Sequence, residues 1–272
     1  ALRFSPGAVL ALVMAVLLVV RRRQMRRTCA ALAERIVRPR SDAIGHTVHA
    51  LVLTLVIALP LPLLFFAMAE FFSTGSSGLS LAIGDGLRWI VAPCYLLVLL
   101  RELSGEGGLA RLHFGWPEVL CNGFYRESRN FLRIGLPLAL ATIIVLEIES
   151  GDNAAALGRL LYLAMLALLI GRLVWLLRRG RLPSREQRPL VTRLRLRVLA
   201  LISSIAAFIA VAQGHVYSVN LLLTSVLETL ALVLALSLLY GLLARWLQVA
   251  RRRLRMASLL AYRSGDGAGG GG

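Results

Sequence analysis

Residues Asn220 to Arg255 read NLLLTSVLETLALVLALSLLYGLLARWLQVARRRLR, an apolar run that ends in an arginine–tryptophan pair and then an arginine cluster. Helical residues rise about 1.5 Å each, so about twenty predominantly apolar ones cross the hydrocarbon core of a bilayer. This run is long enough. Trp246 beside Arg245 suits the headgroup level, and Arg251, Arg252, Arg253 and Arg255 follow as an anchor on the inner face.

The same unit, apolar span then arginines, recurs upstream. Working outward, apolar segments fall at about 198–212, 154–177, 131–148, 79–100, 46–72 and 6–20, with the last at 220–244. The fold expected is an all-α integral membrane protein, a bundle of about seven transmembrane helices joined by amphipathic interfacial connectors. It occupies residues 1–256, and the glycine-rich 257–272 reads as a flexible tail. The segment 6–20 is short for a span. Its arginines follow the apolar run rather than precede it, the reverse of a secretory signal.

Composition agrees. Apolar residues make up 58% of the chain and mean hydropathy is +0.74, while the net charge is +17. Every basic residue is arginine, and most flank apolar runs. That is a topology signal rather than a nucleic-acid-binding face, so the partner expected is a bilayer with anionic headgroups and not nucleic acid. Counting Arg133 and Arg172 with the connectors they adjoin, all arginines except Arg3, Arg88 and Arg159 fall in the connectors after the first, third, fifth and seventh segments. The alternate connectors carry Glu70, Glu147, Glu149 and Asp152 instead. By the positive-inside rule the N-terminus lies outside and the C-terminus in the cytoplasm.

Several residues stand out within the spans. Pro60 and Pro62 deprive the Val56 and Ala58 carbonyls of helical partners, which predicts a kink or hinge. Asp85 and Arg88 lie three apart on one helical face and are close enough to pair. The reading adopted is that both anchor their span at the outer headgroups. Pro137, with Gly135, predicts a bend near the inner end of the fourth segment. The connector 101–130 is rich in Gly and aromatics, including Trp116, and reads as an elbow along the inner surface with Pro117 opening the next helix. Met25, Cys29, Leu32 and Ile36 form an apolar stripe between arginines, the pattern of an interfacial amphipathic helix or, equally, of a solvated helical linker. Ala164, Ala167 and Gly171 form a small-residue strip suited to close helix approach.

Glu228 is the acid deep in a span, where a charge costs about 2.5 to 3.5 kcal/mol on insertion scales. Two readings stand: a place in an ion or proton path, or a bonded or neutral group holding the bundle together. Thr224, Ser225 and Thr229 lie on nearby turns as hydrogen-bond donors. The second reading is adopted, because no second relay acid accompanies it. No catalytic constellation, nucleotide loop or metal-ligand spacing is present. Neither a cofactor nor an enzymatic activity is therefore expected. Three widely separated cysteines read as free thiols.

Three stretches carry a family resemblance: GLARLHFGW (108–116), LLYGLLARWLQVARRRL (238–254) and LTLVIALPLPLLFFAMAEFF (53–72). They resemble the membrane region of large, MscK/MscM-type members of the small-conductance mechanosensitive channel (MscS) family, over about residues 5 to 256. In that family a long periplasmic region precedes the membrane helices. An inner trio follows, whose last member lines a heptameric pore and leads into a β-rich cytoplasmic vestibule. The resemblance thus implies a homo-oligomer in the bacterial inner membrane that releases ions and small osmolytes on hypoosmotic shock. After Met256 no pore helix or strand-rich stretch follows, so no pore-lining residue is carried over. The matching part is the peripheral, tension-sensing region. The alternatives are a secondary transporter, against which no inverted repeat is found, and a non-conducting scaffold.

Overall fold

A computed structural model describes residues 6–37, 44–112, 114–148, 151–179 and 187–266. Every element among them is helical: α1 (Pro6–Val37), α2 (Ile44–Ile57), α3 (Pro60–Ser73), α4 (Gly78–Ser104), α5 (Leu109–Leu112), α6 (Glu118–Asn130), a π turn (Phe131–Gly135), α7 (Leu136–Glu147), α8 (Gly151–Arg179), α9 (Gln187–Ala212) and α10 (Val216–Asp266).

Among the described residues, five helical stretches are long and apolar enough to cross a membrane: Gly45–Ser73, Gly78–Ser104, Glu118–Glu147, Ala156–Trp175 and Val216–Arg251. Arg197–Ala212 is apolar but shorter, and 6–20 does not qualify. Five of the seven expected segments thus reach membrane length as helices among the described residues, and 6–20 and 198–212 are the two shorter ones. Arginines cut both short segments, at Arg21 and at Arg197. The stripe after the first segment is helical. No glycine or proline interrupts 21–37, so α1 runs from the apolar segment through it as one helix. At the other end α10 stays helical to Asp266, taking in 257–266, a stretch expected as tail.

Proline chemistry sets the internal breaks. The helix stops at Ile57 and restarts with Pro60 in its first position, where a missing N–H costs least. The Val56 carbonyl, left without a donor from Pro60, takes the Leu59 N–H at 3.1 Å. Further along, Pro137 cannot donate to the Arg133 carbonyl. The backbone widens there into the π turn, in which the Leu136 N–H bonds the Phe131 carbonyl. The expected bend at Gly135 and Pro137 thus takes the form of a change of helical register inside one continuous stretch, Glu118–Glu147.

The chain forms two compact units. The first takes in Ala1–Leu12, Leu63–Cys94 and Asn130–Thr229, and the second Val13–Pro62, Tyr95–Arg129 and Leu230–Gly272. In the first, Tyr162 and Leu166 of α8 pack on Val211 of α9 and Val219 of α10. The α9–α10 turn is a Schellman cap. Gly214 adopts φ +97°, its N–H bonds the Val211 carbonyl, and the His215 N–H reaches the Ala210 carbonyl. Glycine is required there by the left-handed backbone. The strip Ala164, Ala167 and Gly171 faces away from this packing, and nothing lies within 4 Å of the place a Gly171 side chain would occupy. Close approach is made instead by Gly158, against Leu146 of α7, and by Gly84, against Ser73 of α3.

Candidate functional site

Of the five membrane-length stretches, Val216–Arg251 is the least covered. Only 6% of the most apolar window of Val216–Arg251 is buried, against 39% for Gly78–Ser104. Side chains such as Leu222, Val233, Leu236 and Tyr240 are more than half exposed. In water such a helix would aggregate, whereas in lipid the exposed face is solvated by acyl chains. Glu228 lies on this helix and is exposed, with no hydrogen bond to it among the described residues. The hydroxyls expected to reach it are engaged elsewhere. Thr224, Ser225 and Thr229 each donate to the carbonyl one turn back, at 3.0, 3.1 and 2.7 Å.

Trp246 is exposed, Arg245 half-buried and Arg251 exposed. The side chains of Arg252, Arg253 and Arg255 lie outside the described ones, as does His113 altogether.

Asp85 and Arg88 are not a pair. Both are exposed, and Arg88 reaches across to α3, donating to the Glu70 carboxylate at 2.7 Å. The i, i+3 spacing suggested Asp85, but the antiparallel neighbour α3 presents the better acceptor. The Arg88 side chain is half exposed, so this pair contributes little. A double-mutant cycle on Glu70→Gln and Arg88→Gln is expected to give a coupling below about 1 kcal/mol.

Two features of the second unit were missed in the sequence. The first is Glu102, at the end of α4. Its carboxylate accepts from Arg22 at 2.9 Å, from Arg26 at 2.9 and 2.7 Å, and from its neighbour Arg101 at 2.8 Å. Arg22 and Arg26 are four apart and share one face of α1. The carboxylate side chain is only 11% exposed. An acid directly beside Arg101 at the end of an apolar run was the available signal. Cys29, one turn further on α1, also borders this group. Burial raises its thiol pKa, and the Glu102 carboxylate raises it further.

The second is the seat of the HFGW segment. Gly115 takes φ +64° and the Trp116 N–H bonds the Ala110 carbonyl at 2.9 Å, so the chain folds back after α5. Trp116 is half-buried, with its ring 6.3 Å from that of Phe124. This turn lays the Phe114 ring against Gly241 of α10. A Cβ added at Gly241 would lie 2.8 Å from two ring carbons. Two of the stretches that carried the family resemblance therefore meet at one contact. Arg111, on α5, pairs with Glu118 at the start of α6. Among the described residues no group of three or more His, Cys, Asp or Glu is placed to hold a metal ion.

An all-helical membrane chain with bent spans and a looped connector clasped to its last helix defines a class. The chain belongs to the family of the mechanosensitive ion channel inner membrane domain 1, whose model matches residues 5–268. It is similar to the miniconductance mechanosensitive channel MscM of Escherichia coli (strain K12), 24% identical over 234 residues, covering 82% of this chain and 21% of that protein. It is likewise similar to the mechanosensitive channel MscK of the same organism, 27% identical over 226 residues, covering 82% of this chain and 20% of the relative. The chain thus spans about a fifth of the length of the curated relatives it matches. No solved structure matches it.

Proposed function

We propose that this chain is the membrane-tension-sensing region of an MscS-type mechanosensitive channel of the bacterial inner membrane. The channel releases ions and small osmolytes on hypoosmotic shock. The observation that carries the reading is the family match over residues 5–268 in a chain with five membrane-length helical stretches. A tension-gated protein opens because its open state occupies more area in the membrane plane, and lateral tension favours the larger state. Helices that present most of their surface to lipid feel that tension directly, and the low burial of α10 within the chain supports that role for it. No enzymatic activity is proposed. The test is survival. Cells lacking their own mechanosensitive channels are shifted from high to low osmolarity while expressing the full gene product. Rescue supports the reading, and lysis equal to the empty-vector control overturns it.

In this reading Pro60 and Pro62 act as a hinge, supported by the break between α2 and α3. Pro60→Ala restores a helical donor, stiffens the break and is expected to raise the tension at which half the channels open, measured on excised patches. The same reading sets the N-terminus outside and the C-terminus in the cytoplasm, supported by the arginine distribution. A reporter active only in the periplasm is expected to work when fused after Gln213 and to be inactive when fused after Met256. The protein acts as a homo-oligomer, a heptamer by family resemblance, in a bilayer whose anionic headgroups engage the arginine anchors.

A further inference from the structure

The Glu102 group borders a cavity of about 700 Å³ that lies within the second unit and is lined by Arg22, Arg26, Cys29, Arg101 and Ser104 as well as Glu102. Each guanidinium carries five N–H donors, and an ionised carboxylate offers about four acceptor sites. Glu102 already accepts from all three arginines, with Oε1 taking three of the bonds. Its acceptor capacity is therefore filled, while most of the arginine N–H donors have no acceptor among the described residues. Two further polar atoms are buried without a partner among the described residues: the Nε of Arg22 and the Oγ of Ser104. Ser104 is 2% exposed. Buried donors of this kind are normally satisfied.

Charge points the same way. Even with Glu106 counted beside Glu102, the three guanidiniums leave the lining net positive. The planar fork of a guanidinium matches phosphate oxygens two at a time. The cavity is of the size that holds a small ligand rather than a few waters. We propose that this cavity binds a phosphate-type oxyanion, held by Arg22, Arg26 and Arg101 with Ser104 as an added donor. The phosphate is carried by an anionic lipid headgroup or is free in solution. The proposal deepens the membrane-domain reading and rests on it for access to lipid.

Cys29 provides the readout, because it lines the cavity while Cys94 and Cys121 are buried. The full chain is placed in phosphatidylcholine nanodiscs and labelled with a neutral maleimide at mildly alkaline pH, which offsets the raised thiol pKa. Including phosphatidylglycerol is expected to slow Cys29 labelling several-fold if the source is lipid. Adding inorganic phosphate to the phosphatidylcholine sample is expected to do so if the source is free phosphate. Arg101→Gln and Arg22→Gln should each weaken protection about fivefold, the effect of one basic charge near a membrane surface. Glu102→Gln should act oppositely, bringing protection at about fivefold lower anion content, a gain that misfolding would not produce. Arg195→Gln, on α9, should leave it unchanged. Equal labelling in every lipid and with phosphate, or protection that survives loss of the arginines, overturns the proposal. The readout needs no channel current, so failure to gate and failure to bind are separable.

Discussion

Gly241→Leu is expected to cause one of the largest losses of stability of any single substitution in the chain. The ring of Phe114 occupies the space a side chain at 241 would need, with ring carbons 2.8 Å from the position of a new Cβ. Overpacking of this kind costs about 1 to 3 kcal/mol for modest additions. Gly241→Ala should fall in that range and Gly241→Leu beyond it, read as a fall in apparent melting temperature in detergent. Phe114→Ala in the Gly241→Ala background should recover most of the loss, because it removes the opposing ring. An unchanged melting temperature for Gly241→Leu would mean that the loop does not clasp α10.

Glu102→Ala should have the second large effect. The carboxylate is nearly buried and bonds three arginines, so its removal leaves their charges close together and uncompensated. Breaking a buried charge pair from one side costs about 3 kcal/mol or more, and the partial exposure of the three guanidiniums reduces this to about 2 kcal/mol. In a protein of this size that lowers the apparent melting temperature by about 5 °C. Added salt should restore part of it by screening the guanidiniums. Glu70→Ala, which breaks a more exposed pair, should change stability by less than about 1 kcal/mol. Similar effects at the two acids would contradict the burial argument.

Most of the helical architecture could be read from the sequence, because apolar length and proline position act locally. The break before Pro60 and the disturbance before Pro137 follow from missing N–H donors that any helix would lack. The number of membrane-length spans was less legible. Arg21 and Arg197 trim two apolar runs, and only the continuous path of α1 places its arginine-bearing half on the same helix as 6–20.

Partners between helices were the hardest to read. The i, i+3 spacing proposed Asp85 for Arg88, yet the neighbouring helix supplied Glu70. Likewise, nothing in the run LLYGLLARW marks Gly241 as the residue on which Phe114 rests. Glu228 was singled out by its cost in lipid, while the built charge cluster formed around Glu102, an acid at a helix end where sequence alone assigns no special cost.

Tension sensing by this membrane domain is tested most directly by patch clamp of the full gene product under graded suction. The expected result is current that rises steeply with suction below the tension at which the patch ruptures. Patches that stay silent up to rupture, from membranes in which the protein instead drives solute-coupled uptake, would contradict it and make the chain part of a transporter.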